Sequence, residues 1–225
     1  MNKSAFKCAS ANLLDRVILV DQDDHPIGTM DKIEAHRGQA QLHRAISVYL
    51  FRRDPGLEGQ GASAPGNWQL LLQQRSPTKI VGAFQWANTA CGNVRPGESY
   101  LECAYRRLRE ELGIQANAVV LEPFYKFHYQ VRCNEQFGEH EMDQVFMGLV
   151  EDLEIAPRSS EVITSSWVDF NQLVEACRQG KWQADQPVIW ELAGQQLELA
   201  PWFIQMLSDD SLLSLIFERL ESDEL

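Results

Sequence analysis

The sequence predicts an α/β (α+β) fold in which a mixed β-sheet is flanked by helices on both faces. Apolar and alternating runs typical of strands occur before and after segments with helical periodicity. This order, without an internal repeat, is typical of one sheet packed between helices. The 225 residues suit a single domain spanning 1–225, and 44% apolar residues are enough to build its core.

Strands and helices were assigned from periodicity and from turn-forming residues. The segment 54–67, rich in glycine, proline and alanine, predicts a mobile hairpin insertion. A turn is expected over 23–28, and a strand-like segment precedes the second helix. Strands are predicted over 16–21, 29–34, 45–52, 68–74, 124–131 and 142–150. One helix is predicted between the strands 68–74 and 124–131, a second over 171–180, and a C-terminal helical segment over 201–219.

The stretch CGNVRPGESYLECAYRRLREELGI carries the most informative spacing in the chain. A proline-glycine turn leads into a helix, and Glu98 is expected near the first helical turn, where a carboxylate suits the positive end of the helix dipole. Arg107 and Glu111 are four residues apart, so they share one helix face. Gly113 follows the last apolar position and is predicted as the C-cap.

This spacing resembles the signature of the Nudix superfamily, in which a glycine-bearing loop leads into a carboxylate-bearing helix. Arg107 stands where the pyrophosphohydrolases of that superfamily carry a glutamate, and Cys91 precedes the glycine. Both features make the chain resemble the isomerase branch. A Nudix pyrophosphohydrolase acting on a nucleoside or prenyl diphosphate stays an alternative, because Glu98, Glu110 and Glu111 are present.

The wider chain resembles type I isopentenyl-diphosphate isomerase over about two-thirds of its length. The likeness lies in KIEAHRGQAQLHRAISVYLF, LLLQQRSPTKIVGAFQWANTACG, FHYQVRCNEQFGEHEMDQVF and APWF, in that order. It implies a Nudix fold and the interconversion of isopentenyl and dimethylallyl diphosphate. That reaction needs an acid, a base across the carbon skeleton and a dry pocket around a carbocation-like state.

The resemblance also implies which residues carry the reaction. Cys91 and Glu141 would be the acid/base groups on the two sides of the substrate. Tyr129 would assist Glu141 by hydrogen bonding. Trp202 would lie over the isoprenyl group, where an aromatic face stabilises developing positive charge.

Four cations are expected to bind the diphosphate of the substrate. Arg75 and Lys79 match the diphosphate-binding pair of the family, and Arg107 and Lys32 are expected to help. A guanidinium fork suits phosphate oxygens. These residues would supply local positive charge on an acidic protein.

Two divalent ions are implied by the same resemblance. The first, Mn²⁺ or Zn²⁺, would be bound by His36, His43, Glu139 and Glu141. The two glutamates point to one face if they lie on a strand. Asn93 stands where the family has a third histidine, and an amide oxygen is a poorer ligand for these ions. A catalytically weakened homologue is therefore a further alternative.

The second implied ion is Mg²⁺, which would lie near Glu111 and the carbonyl of Cys91 and bind the substrate diphosphate. Mg²⁺ takes oxygen ligands and bridges to phosphates, so a carboxylate and a carbonyl suit it.

Charge and cysteine content exclude several other classes of protein. The formal charge of -12 argues against a nucleic-acid partner. The sequence contains no run of eighteen apolar residues, so no membrane span is expected. Five cysteines without a CxxC pair, and no apolar leader segment, favour reduced thiols in the cytoplasm. The expected partner is a small prenyl diphosphate, bound by a monomer or a homodimer.

Overall fold

A computed structural model describes residues 15–54, 68–179, 189–192 and 195–222. The predicted insertion at 54–67 lies outside these ranges except for its first residue. The elements are β1 (Arg16–Val20), β2 (Pro26–Asp31), α1 (Lys32–His36), β3 (His43–Arg53), β4 (Trp68–Arg75), β5 (Trp86–Ala87), β6 (Ala90–Asn93), α2 (Tyr100–Leu112), β7 (Glu122–Arg132), β8 (Gly138–Leu149), β9 (Val162–Asp169), α3 (Phe170–Gln179), β10 (Ile189–Leu192), β11 (Gln195–Glu198), α4 (Pro201–Leu207) and α5 (Asp210–Glu221).

Nine strands form one mixed sheet around β3. Strand β3 runs parallel to β8, from the pair His43 and Glu141 to the pair Phe51 and Leu149. It is antiparallel to β1, β4 and β6, while β7 pairs with β8 and β9 pairs with β4. Strands β10 and β11 form a separate two-stranded sheet. The predicted mixed sheet is confirmed.

Alternate side chains of the central strand pack into two different cores. Tyr49 and Phe51 join a cluster with residues of α3, α4 and α5. Ile46 and Leu50 join a second cluster with residues of α2. Each large apolar side chain buried in this way contributes on the order of 1.5–3 kcal/mol. Helices therefore cover both faces of the sheet, as the sequence predicted.

The N-terminal hairpin differs from its prediction at both ends. Its turn closes earlier than residues 23–28, because the Asp21 carboxylate accepts hydrogen bonds from the backbone N–H of Asp23 (3.0 Å) and of His25 (2.9 Å). The second strand was expected to continue to residue 34, but it stops at Asp31. The Asp31 side chain accepts from the N–H of Ile33 (2.9 Å) and starts helix α1 instead.

The motif helix α2 begins with a capping box. Ser99 is the N-cap and pairs with Glu102, so Glu98 lies directly before the helix, close to its first turn as expected. Both Glu98 oxygens accept from the Arg106 guanidinium, at 2.6 and 2.9 Å. The predicted C-cap is confirmed, because Gly113 has φ of 74° in the left-handed region.

The predicted C-terminal helical segment consists of two helices. Helix α4 ends at Leu207, and the Asp209 side chain accepts from the N–H of Leu212 (2.7 Å) to start α5. Strand β8 begins four residues earlier than predicted, so Glu139 and Glu141 both lie in it. Within the described ranges, no helix is long and apolar enough to cross a membrane.

Candidate active site

A cavity of about 620 Å³ opens between α1, the loop after β4, strand β6 and the turn before β9. All of the predicted site residues line it except His43 and Glu111, which are 0% exposed directly behind the lining residues. The structure therefore brings the predicted site residues together at one cavity. Those that line the cavity are Lys32, His36, Arg75, Lys79, Cys91, Asn93, Arg107, Tyr129, Glu139, Glu141 and Trp202.

Four of these residues form a buried cluster that could bind a metal ion. His36, His43, Glu139 and Glu141 each offer a ligand atom, all within 4.8 Å of one another. His36 Nε2 lies 3.0 Å from a Glu139 oxygen, and His43 Nε2 lies 3.4 Å from a Glu141 oxygen. The parallel register that pairs His43 with Glu141 brings these side chains together. His140, between the two glutamates, contacts His128 instead (3.1 Å between the Nε2 atoms).

The hydrogen bonds around this cluster fit a divalent ion. His36 Nδ1 donates to the Lys32 carbonyl (2.6 Å) and His43 Nδ1 donates to the Gln41 carbonyl (2.7 Å). A carbonyl only accepts, so each Nδ1 carries a proton, and in the neutral form of each ring the Nε2 lone pair can bind a metal. The buried Glu139 oxygen that lies 3.0 Å from His36 Nε2 accepts no other hydrogen bond. A cation between the nitrogen and oxygen atoms of this cluster could bind both kinds of atom.

Asn93 occupies the position of the missing third histidine. Its Nδ2 lies 2.9 Å from Glu141 Oε1 and 3.0 Å from His43 Nε2. Asn93 therefore donates to the carboxylate, and it contacts the same atoms that a metal ion would contact. An amide nitrogen cannot ligate a cation, so in this arrangement the cluster offers two histidines and two glutamates as ligands.

Cys91 and Glu141, the predicted acid/base pair, line the same cavity. Burial raises the pKa of Cys91 to about 11, although the nearby Arg75 charge opposes this shift. The Arg75 guanidinium is 3.2 Å from Cys91 Sγ. Tyr129 donates its hydroxyl to Glu141 Oε2 at 2.5 Å. Burial and the Glu141 charge raise the Tyr129 pKa well above its ordinary value, so the phenol keeps its proton.

Trp202 forms an apolar wall of the cavity and is only 2% exposed. Gly82 lets the indole approach closely: it has φ of 63°, and a Cβ there would lie 2.5 Å from the indole ring. The Arg75 guanidinium carbon lies 5.0 Å from the centre of the Trp202 ring, in cation–π contact. The aromatic face thus already accommodates a positive charge.

The four predicted phosphate-binding cations converge on the cavity. The pKa of Lys32 is lowered, first by desolvation and then by repulsion from the charges of Arg107 and Lys79, with a smaller contribution from Arg75. Lys79 and Arg107 also pair with the carboxylates of Glu111 and Glu161, which offset part of the repulsion between the four cations. A diphosphate would supply further negative charge.

Glu111 lies at the inner end of this group and is 0% exposed. Burial alone would raise its pKa, but the charges of Arg107 and Lys79 lower it to about 2. Both cations contact Glu111 Oε1, and Gln73 Nε2 donates to Oε2 at 2.9 Å. Arg107 Nε also donates to the Cys91 carbonyl at 3.2 Å. The Arg107 guanidinium therefore spans the two groups to which the resemblance assigns Mg²⁺.

Two residues of the site were not predicted from the sequence. Gln73, 0% exposed on β4, orients Glu111. Glu161 contacts Lys79 Nζ at 2.5 Å and Arg107 Nη2 at 2.9 Å. Glu161 lies in a polar turn without periodicity, and Gln73 lies within an apolar strand, so no local pattern marks either one.

The NUDIX domain family matches residues 41–190 of this chain. The isopentenyl-diphosphate Delta-isomerase of Pectobacterium atrosepticum is 38% identical over 140 residues, which cover 62% of this chain and 69% of the relative. That of Burkholderia multivorans is 36% identical over 173 residues, covering 77% and 85%. Isopentenyl-diphosphate Delta-isomerase I of Camptotheca acuminata is 33% identical over 207 residues, covering 84% and 77%.

Two solved structures share the fold at low sequence identity. DR0079 from Deinococcus radiodurans matches with a TM-score of 0.59 and 18% identity, covering 86% of this chain and 97% of that chain. The Nudix hydrolase RenU from M. smegmatis matches with a TM-score of 0.52 and 18% identity, covering 78% and 86%. At this identity the likeness shows the fold alone.

Proposed function

Since the chain belongs to the Nudix family and, within it, to the isopentenyl-diphosphate Delta-isomerases, we propose that it interconverts isopentenyl and dimethylallyl diphosphate in the cavity between Cys91 and Glu141. The observation that carries this assignment is the meeting of a thiol, a carboxylate and four cations in one cavity. The thiol and the carboxylate would transfer protons to and from the hydrocarbon part of the substrate, and the cations would bind its diphosphate.

The reaction moves a double bond by one carbon and leaves the composition of the substrate unchanged. One group adds a proton to the terminal methylene carbon, and the other removes a proton from the carbon next to the phosphorylated one. The electron pair of the broken C–H bond forms the new double bond. Because the reaction is reversible, Cys91 and Glu141 exchange the roles of acid and base between the two directions.

The hydrogen bonds of the site support opposite starting states for these two groups. The raised pKa of Cys91 means that its thiol holds a proton at neutral pH. Glu141 accepts from Tyr129 and from Asn93 on its two oxygens, an arrangement that suits the ionised carboxylate. One group is therefore loaded with a proton while the other is ready to take one.

The wall formed by Trp202 and Tyr129 is suited to the carbocation-like state. Both side chains are almost fully buried, so they exclude water that would trap a cation. The Trp202 ring face supplies attraction without a nucleophilic atom. Arg75 shares that face and also contacts Cys91, so it links the diphosphate end to the alkene end.

Two divalent ions complete the proposed site. His36, His43, Glu139 and Glu141 would hold Mn²⁺ or Zn²⁺, and Glu111 with the Cys91 carbonyl would hold Mg²⁺. When bound, the ions supply positive charge that fixes the Glu141 carboxylate and neutralises the diphosphate. The buried Glu139 oxygen that faces His36 Nε2 at 3.0 Å and accepts no other hydrogen bond supports the first site.

The competing prediction of a pyrophosphohydrolase has less support from the geometry. Glu98 accepts two hydrogen bonds from Arg106, and Glu110 accepts from Arg106 (3.1 Å) and from Arg107 (2.9 Å). These guanidiniums pair with carboxylates of the Nudix helix. Arg107 itself replaces one of the carboxylates of the hydrolase signature.

The proposal is tested by incubating the purified protein with isopentenyl diphosphate and Mg²⁺, with and without Mn²⁺ or Zn²⁺, and following dimethylallyl diphosphate by mass-resolved chromatography. Cys91→Ala and Glu141→Gln should each lower kcat by at least about 10³-fold, because each removes a proton-transfer group. Cys133→Ala, another half-buried thiol, is the matched control and should keep wild-type turnover.

Two outcomes would reject the assignment. If the wild-type protein forms no product with any of the metals, the assignment as an active isomerase is rejected, and the alternative of a catalytically weakened homologue is favoured. Cys91→Ala with near-normal turnover would remove the thiol from the mechanism. Phosphate release from nucleoside diphosphates or prenyl diphosphates should stay at background, and a positive result there would favour the hydrolase.

Cytoplasmic location and a monomeric or homodimeric state are part of the same proposal. Cys91, Cys103, Cys133 and Cys177 are all free thiols in the described residues, which suits a reducing compartment. Size-exclusion chromatography with light scattering would distinguish one subunit from two.

A further inference from the structure

The turn before β9 lines the cavity with Ser160 and Glu161. The Glu161 side chain is 29% exposed and lines the cavity between the two cations that it contacts. Its Oε2 accepts from Lys79 Nζ at 2.5 Å and from Arg107 Nη2 at 2.9 Å. Burial opposes a low pKa for Glu161, but hydrogen bonds from Lys79 and the charges of both cations lower it, so the group is a carboxylate at neutral pH.

The backbone of this turn is fixed to the loop that carries Lys79. Ser76 N–H donates to the Glu161 carbonyl (3.0 Å), and the Thr78 hydroxyl donates to the Ser160 carbonyl (3.0 Å). The turn is closed by Glu161 N–H donating to the Arg158 carbonyl (2.8 Å). The main chain of Glu161 is thus fixed by hydrogen bonds that do not involve Lys79 Nζ or the Arg107 guanidinium.

Glu111 and Glu161 contact the same two cations from different directions. Glu111 lies on α2 and is fully buried, whereas Glu161 lies at the cavity. Lysine and arginine side chains lose much of their rotamer entropy when they are held in one conformation. Holding Lys79 and Arg107 between two carboxylates removes that loss from the binding of an anion, and such preorganisation increases affinity.

We propose that Glu161 is a positioning residue that holds Lys79 and Arg107 in the arrangement that binds the substrate diphosphate. This rests on the assignment of both cations to the diphosphate under the proposed function. The opposite role is a carboxylate that occupies the place of a phosphate and competes with it. The two roles predict opposite changes of affinity when the charge is removed.

The test is Glu161→Gln, which keeps the size of the side chain and removes its charge. Calorimetry with inorganic pyrophosphate and Mg²⁺ should show Kd raised about tenfold, as expected for losing one charge-assisted contact to each cation. In turnover, KM for isopentenyl diphosphate should rise by a similar factor, while kcat stays within about twofold. A merely structural role would lower the active fraction, and so kcat, without changing KM.

Glu154→Gln is the matched control, because it removes one negative charge from an exposed residue of the same connection between β8 and β9. It should bind pyrophosphate as the wild type does. An unchanged or lower Kd for Glu161→Gln overturns the proposal, and so does a loss of kcat at constant KM. Pyrophosphate binding needs no turnover, so a wild type that binds but does not isomerise would reject the proposed function while Glu161 is still tested.

Discussion

Each oxygen of Glu141 is held by a different neighbour, and this determines where the carboxylate can reach. Tyr129 holds Oε2 at 2.5 Å, and Asn93 holds Oε1 at 2.9 Å. We expect Tyr129→Phe to lower kcat about 10- to 100-fold, because a freed carboxylate is misplaced relative to the substrate carbon. Steady-state kinetics with isopentenyl diphosphate would measure the change.

Tyr125→Phe is a suitable comparison for this variant. Tyr125 lies on the same strand, is partly buried and contacts Phe127 rather than the cavity. Its loss of a hydroxyl should leave kcat unchanged. An equal loss of kcat in both variants would show that removing a hydroxyl perturbs the strand in general, and that the hydrogen bond from Tyr129 to Glu141 is not the cause.

Asn93 makes this chain different from the pattern that it otherwise resembles. We expect Asn93→His to tighten Zn²⁺ binding at least tenfold, because an imidazole nitrogen would replace an amide that donates toward Glu141. Metal content after dialysis, and the metal-dependent rise of Tm, would report the change without any activity assay.

His36→Ala serves as the reference for this titration, since it removes one ligand of the same cluster. It should weaken Zn²⁺ binding in the wild type and in the Asn93→His background. If neither Asn93→His nor His36→Ala changes the affinity for Zn²⁺, the ion binds at another site.

The residue scale shows what a motif can predict and what it cannot. Cys91 and Arg107 stand at fixed offsets from one glycine, and Glu139 and Glu141 lie two residues apart, so the resemblance to a known family could select these four residues, and all four line one cavity. Glu161 is different, because its role depends on a turn meeting a distant loop through backbone hydrogen bonds. Such a contact has no local pattern.

At the scale of elements, the start of α2 depends on the capping box of Ser99 and Glu102. Ser99→Ala should lower the free energy of unfolding by about 1 kcal/mol, because the N–H of Glu102 loses its acceptor. Urea unfolding followed by circular dichroism would measure it. Ser214→Ala, an exposed serine inside α5, should not destabilise the protein, and an equal loss in both variants would refute the cap.

Elements with a strong period were predicted well, and short polar ones were not. The strands at β3, β4 and β7 have long apolar or alternating runs, so periodicity was enough. Helix α1 is five residues long, and it exists because the Asp31 side chain caps it where a strand would otherwise continue. The break between α4 and α5 likewise depends on the side chain of Asp209. Where the hydrophobic periodicity is weak, side-chain caps of this kind determine where a helix begins.

At the scale of the whole molecule, acid should unfold this protein partly through Glu111. Its pKa is lowered from 4.5 to about 2 in the folded state, so the stability that it contributes is present above pH 4.5 and lost as the pH falls toward 2. The shift corresponds to about 3 kcal/mol. Unfolding free energies measured in EDTA should therefore fall between about pH 5 and pH 2.5.

Glu111→Gln separates this contribution from that of other carboxyl groups. The variant should be less stable near pH 7, because Arg107 and Lys79 lose a buried partner. Its unfolding free energy should also decline less steeply below pH 5. Parallel curves for the variant and the wild type would mean that Glu111 does not contribute to the acid transition.

The distribution of charge also belongs to the whole molecule. The chain has a formal charge of -12, yet its cavity gathers Lys32, Arg75, Lys79 and Arg107. Composition alone indicated no nucleic-acid partner, but it could not show where the few cations meet. Strands and loops distant in the chain bring them together, and this arrangement could be expected only through the resemblance to a known family.

The pairing of β3 with β8 makes site and scaffold inseparable. Successive side chains of a strand point to opposite faces of the sheet. Inserting one residue in either strand would therefore move every later side chain of that strand to the opposite face. The ladder that sends Tyr49 and Ile46 to different cores also turns both glutamates of β8 toward the histidines. A single-residue insertion in the middle of this ladder would therefore disrupt the two cores and the histidine–glutamate cluster together.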